Sequence, residues 1–69
     1  MDKKSITKSL IHQTGGCFPS ITDIARYMGK GRGYVRNNVV NGLEYIGSET
    51  HKNFFVEDVA ERIMEIRQV

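Results

Sequence analysis

SITDIARYMGKGRGYVRNN, residues 20–38, is the stretch whose reading decides how this chain of 69 residues folds. Ser20 three positions ahead of Asp23 resembles a capping box, with aspartate in place of the usual glutamate or glutamine, and so marks a helix start. Ile21, Ile24, Ala25 and Met28 then form an apolar stripe at helical spacing. Gly29 predicts the stop, because a glycine readily takes the left-handed conformation after a helix. A further short helix is expected from about Arg32 to Val40, with Val35 and Val39 one turn apart.

Between and within these helices, residues 29–38 hold three glycines and three cations, a combination that suggests phosphate. A nucleotide-binding glycine loop needs a strand before it and a crossover unit of about 30 residues around it. Here GKGRG follows a helix, and the P-loop ending of glycine, lysine and serine or threonine is missing. The glycines fit a sharp turn between two helices instead. Ala25 is small where two helices must approach, Gly29 follows four residues later where positive φ is needed, and Val35 follows six residues on, pointing into the shared core. Those spacings suit a helix-turn-helix, whose second helix enters a DNA major groove. A helical hairpin with no ligand would carry the same pattern.

Working outward, a first helix is expected over residues 3–14, with Ile6, Leu10 and Ile11 on one side and Gly15–Gly16 ending it. Pro19 disfavours helix at Phe18. After Asn41–Gly42 the periodicity changes. LEYI (43–46) and NFFV (53–56) are β-prone, and the polar GSETHK between them predicts a hairpin with a longish loop. EDVAERIMEIR (57–67) is helical, with Val59, Ile63 and Ile66 on one face and acids at its start, as the helix dipole prefers. Asp58 and Arg62 are spaced to pair at i,i+4. The order is helix, helix, helix, hairpin, helix, in one small domain, residues 1–69.

Composition narrows the function classes. With one cysteine, Cys17, neither an internal disulfide nor a four-cysteine zinc site can form, and Cys17 is expected to be a passive small apolar residue. His12, His51 and Cys17 are too few and too irregularly spaced for a metal site, so none is expected. No apolar run approaches the ~20 residues of a membrane span, and MDKKSITKS is no signal peptide, so a reducing cytoplasm is the expected compartment. No nucleophile stands with a base; neither catalysis nor a cofactor is expected. The net charge is +2, but residues 1–40 carry +5 and residues 41–69 carry −3. That asymmetry favours a polyanionic partner on one side of the molecule.

The pattern S-x-x-D-I-A-x-x-M-G, then V-R, then G-L six residues after the arginine, then F-F-V-E-D-V, resembles small winged-helix proteins of the excisionase and mercury-resistance-regulator (MerR-like) class. Ser20, Asp23, Ala25, Gly29, Val35, Arg36, Gly42, Leu43, Phe55, Asp58 and Val59 carry the resemblance, which spans roughly residues 18–66. It implies that the third helix reads the major groove and that the hairpin is a wing touching backbone or minor groove. The chain departs from the family pattern at Lys30, usually apolar, at Gly31, usually a capping serine, and at Asn38, more often apolar. No long dimerisation helix or effector domain follows in these 69 residues, so a small architectural or repressor-like binder is expected in place of a ligand-sensing activator.

If Val35 and Val39 face inward, Arg32, Gly33, Arg36 and Asn37 project from the exposed side of the third helix. Arginine can pair bidentately with guanine and asparagine with adenine, each good pair giving about 1–3 kcal/mol of discrimination. Gly33 would let backbone approach the groove floor. Asn37 reads a base or touches phosphate; Tyr34 donates its hydroxyl to phosphate or packs in the core; Asn38 is a helix-end polar group or part of the reading face. Arg26 and Lys30 would flank the DNA backbone without reading sequence. His51 and Lys52, on the hairpin loop, are wing contacts or a disordered tip. Tyr45, Phe54 and Phe55 are expected to pack the hairpin on the helices.

The resulting expectation is a mostly α protein with a small β-hairpin wing, a winged helix-turn-helix that binds double-stranded DNA sequence-specifically. The resemblance implies an excisionase-like recombination directionality factor of a mobile element, acting with an integrase as a monomer cooperative on DNA. Two other readings stand beside it: a small transcriptional repressor from such an element, and a protein-interaction module that has lost DNA binding and works through its acidic last helix.

Overall fold

The computed structural model describes residues 2–67; the ends of the expected 1–69 domain, Met1, Gln68 and Val69, lie outside the described residues. The first helix, α1 (Lys3–Thr14), starts where Asp2 accepts a hydrogen bond from the Ser5 amide at 2.8 Å. Hydrogen bonding from Ser5 holds the Asp2 carboxyl below its ordinary value. Gly15, at φ 84°, ends the helix by donating its amide to the Ile11 carbonyl. Ile6 and Leu10 are buried, and Ile11 packs at the core's edge.

The expected capping box opens α2 (Ile21–Met28). The Asp23 amide donates to Ser20 Oγ at 3.2 Å, and the Ser20 amide donates to the Asp23 carboxylate at 3.1 Å. Ile24 and Ala25 are buried, and Gly29, at φ 69°, turns the chain. Only a residue without a Cβ takes that turn at no cost.

The third helical segment differs from the expected continuous helix over 32–40. It begins as α3 (Arg32–Tyr34) and widens into a π-helical turn over Val35–Val39. The Val40 amide reaches back five residues to the Val35 carbonyl at 3.0 Å. The wider turn brings Val40 toward the face already held by Val35 and Val39, and all three are buried. Gly31 precedes the segment with no side-chain cap. Gly42, at φ 84°, then closes a turn in which the Leu43 amide donates to the Val40 carbonyl.

The hairpin is shorter than the runs 43–46 and 53–56 predict: β1 (Tyr45–Gly47) pairs antiparallel with β2 (Lys52–Phe54) in the register Tyr45–Phe54, Ile46–Asn53, Gly47–Lys52. Leu43 is drawn to the core by the preceding turn, and Val56 begins the last helix, so neither is left to extend a strand. Lys52 consequently sits in β2 and not in the loop. The connector at 17–20 lies along the other side of β2: the Phe54 amide donates to the Pro19 carbonyl, the Val56 amide to the Cys17 carbonyl, and Ser20 bridges Asn53. The hairpin is thereby bolted to the helical body.

The last helix, α4 (Val56–Arg67), packs Val56, Val59, Ala60 and Ile63 into the core, against α1 among others. Arg62 does not take up the expected pairing with Asp58. Its guanidinium donates to the Asn41 carbonyl at 3.0 Å and lies 3.6 Å from Glu65. A carbonyl just past the end of the third segment gains a partner that way, in keeping with cations at helix C-termini. Two further expectations, for Tyr45 and Phe55, are corrected. Of the hairpin aromatics only Phe54 is buried, and Phe55 follows it onto the opposite strand face and stays exposed. Tyr45, on the same face as its partner Phe54, meets that ring edge-on with centroids 6.1 Å apart and leaves its outer side exposed. Cys17, for which no burial is expected, is exposed, and its carbonyl accepts from the Val56 amide.

The architecture is mostly helical with a two-stranded antiparallel hairpin after three helical segments, a layout compatible with a winged helix. Among the described residues no helix is long and apolar enough to cross a membrane.

Candidate nucleic-acid interface

Arg36 follows Arg32 by four positions, and both side chains come to one side of the third segment because Val35 and Val39 hold the other side in the core. Gly42 turns the chain back, and the hairpin rises opposite the two arginines. Between helix and hairpin lies an open cleft of about 520 Å³, lined by Arg32, Arg36, Asn41, Tyr45, Glu49, Thr50 and Lys52, with Ile21, Val40, Leu43 and Phe54 beneath. Three cations from two elements far apart in sequence thus share one concave surface.

Lys52 is held on the hairpin by two neighbours. Its ammonium lies 3.7 Å from the Glu49 carboxylate and 4.6 Å from the Tyr45 ring centroid, over the ring face. The Tyr45 hydroxyl donates to Glu49 at 2.9 Å. That hydrogen bond, and then the carboxylate's charge, push the Tyr45 hydroxyl above its ordinary pKa. Such exposed contacts are individually weak, so Lys52 can leave them for a stronger anion. Among the described residues, Glu49 is the only carboxylate lining the cleft.

The other candidates are placed apart from this trio. Gly33, Asn37 and Arg26 are exposed. A Cβ at Gly33 would meet open space. Lys30 and Tyr34 belong together, the ammonium 5.5 Å from the ring centroid, and line a separate cleft with Tyr27, Ser9 and Gln13. Tyr34 is half-buried and packs against the core. His51 lies in the exposed loop, where its ring contacts Thr50 Oγ1 at 3.1 Å and its amide donates to Ser48. Asn38 donates its side-chain amide to the Tyr34 carbonyl at 3.0 Å, taking the helix-end role.

Tyr45, Glu49 and Thr50 line the cleft although the sequence reading gave them no part there. The spacing of Glu49 three residues before Lys52 was the available signal, since it sets an acid beside the hairpin's cation in a short loop. An open, cationic strip between a helix and a hairpin can accept a polyanion along its length. Guanidinium groups fit phosphate oxygens or guanine edges as a two-pronged donor. Among the described residues no three His, Cys, Asp or Glu side chains gather where a metal ion could sit. No protein-family model, curated protein or solved structure matches the chain.

Proposed function

We propose that this chain is a winged helix-turn-helix protein that binds double-stranded DNA, the third helical segment entering the major groove and the hairpin serving as the wing. One observation carries the reading: Arg32 and Arg36 on the helix and Lys52 on the hairpin line a single open cleft. In this reading Arg36 and Arg32 reach base edges, Asn37 stands beside them, and Gly33 lets the backbone approach. Lys52, His51, Lys30 and Arg26 hold phosphates and set the register.

The helical stretch from Arg32 to Val39 spans eight residues, about 12 Å at α-helical rise, enough to read only a few base pairs. Tight specific binding then draws on neighbouring units or on DNA deformation. This supports the excisionase-like role, in which monomers occupy adjacent direct repeats, bend the DNA and act with an integrase. A repressor on an inverted repeat is the rival within the same class. Selection of bound fragments from random DNA tests both levels. A recurrent short motif in tandem direct repeats supports the recombination role, a palindrome supports the repressor, and the absence of enrichment removes sequence-specific binding altogether.

A further inference from the structure

The four large apolar side chains that stay exposed among the described residues are Phe18, Tyr45, Ile46 and Phe55, and they gather around the hairpin. Ile46 is 55% exposed, Phe18 46% and Phe55 41%. They line a shallow groove on the hairpin's outer face, with Tyr45 at its boundary with the cationic cleft. Phe18 and Phe55 contact one another with ring centroids 5.8 Å apart. The Asn53 side-chain amide donates to the Phe18 carbonyl, which fixes the connector against β2 and with it the floor of the groove. Two carboxylates, Glu44 and Asp58, complete the lining, and among the described residues no cation does.

We infer that this outer face of the hairpin is a docking site for a second protein, whose contacting segment carries apolar anchors flanked by lysine or arginine. The acid rim selects the occupant. DNA is excluded, since Glu44 and Asp58 would face its phosphates. A two-fold pair of this chain would lay each patch on its copy and bring Glu44 and Asp58 against the same acids. Nor does a copy offer another apolar surface, because the exposed large apolar residues described all border this one groove. A basic, apolar segment of a different protein meets both the charge and the surface. The site lies beside the proposed DNA cleft without sharing its cations, so DNA and partner can be held together. The inference goes beyond DNA binding and stands independently of it.

Panning a phage-displayed random peptide library on the full chain tests the inference, with recovered peptides then titrated in solution. The expected peptides carry paired apolar residues flanked by lysine or arginine. Ile46→Ser and, separately, Phe55→Ser should weaken them at least about tenfold, as loss of an anchor does. Glu44→Gln should weaken them less, and in a salt-dependent way. Ile46→Ser should leave affinity for duplex DNA unchanged, which separates this site from the DNA cleft whatever becomes of the DNA reading. Peptides without basic residues, peptides indifferent to both serine variants, or a library yielding no patch-dependent binder would overturn it. So would a dimer in sedimentation that Ile46→Ser disperses, since the occupant would then be a second copy.

Discussion

The Glu49 carboxylate stands 3.7 Å from the Lys52 ammonium, and both line the cleft that Arg32 and Arg36 enter from the helix. In the free protein this acid occupies the hairpin's cation and opposes an incoming phosphate. Exposed pairs of this kind contribute about 0–1 kcal/mol to stability, so removing the charge should barely move the melting temperature. Glu49→Gln should instead raise affinity for arbitrary duplex DNA. The gain should shrink as salt rises, because it comes from removing a repulsion between exposed charges. Filter binding over a salt series reads both. An unchanged affinity would mean that phosphate does not enter this cleft.

Readers and holders should separate. Arg36→Ala is expected to cost about 1–3 kcal/mol at one base pair of a selected site while sparing non-specific binding. Lys52→Ala and Lys30→Ala should weaken both kinds alike and make the salt slope shallower. Competition titrations with single-base variants of the site provide the comparison. Equal losses on every sequence for Arg36→Ala would make Arg36 a phosphate contact and move the reading face toward Arg32 and Asn37.

Gly33 should show opposite effects on folding and on binding. It lies in the first turn of the third helical segment, with open space where a Cβ would go. Gly33→Ala should therefore stabilise the fold by about 0.5–1 kcal/mol, as alanine does over glycine in a helix. If backbone at this point lies close to the groove floor, the same methyl should weaken DNA binding. A denaturant melt and a binding isotherm on one preparation measure the pair. Tighter or equal binding would remove Gly33 from the interface.

Gly47 ends β1 at φ 103°, and a Cβ there would collide with the His51 backbone carbonyl oxygen. Gly47→Ala should open the hairpin at a cost of about 1–3 kcal/mol, the range for a non-glycine residue forced into such a conformation. Helical circular dichroism should survive at low temperature, while DNA affinity falls as Lys52 loses its position. A variant that melts and binds like the parent would show that the hairpin tip carries no part of the interface.

Much of the fold was legible because local chemistry decided it. Ser20 and Asp23 cap one another, Gly15 and Gly29 stop helices by backbone freedom, and the apolar stripes at 6, 10 and 59, 63 meet in the core. What escaped depended on contacts between distant segments. The π turn answers the need to bury Val35, Val39 and Val40 together, which no single helical period in the sequence announces. The strands shortened because Leu43 and Val56 were claimed by the core and by α4. Phe55 became exposed because β2 has one inward face, which Phe54 takes. At the site, Arg32 and Arg36 were legible from the positions of Val35 and Val39. That Lys52 faces them across a cleft, with Glu49 and Tyr45 beside it, follows from the Gly42 turn and the hairpin register, and no local pattern carried it.

The proposed DNA site is the cleft between the third helical segment and the hairpin. Amide chemical-shift mapping of the full chain, titrated with a short duplex at low salt, tests it most directly. Perturbations are expected at residues 26, 30, 32–37 and 47–52, fading as salt is raised, with Ile46, Phe55 and the exposed face of α4 little moved. No response to duplex, or a response centred on the Phe18, Ile46 and Phe55 groove, would contradict it.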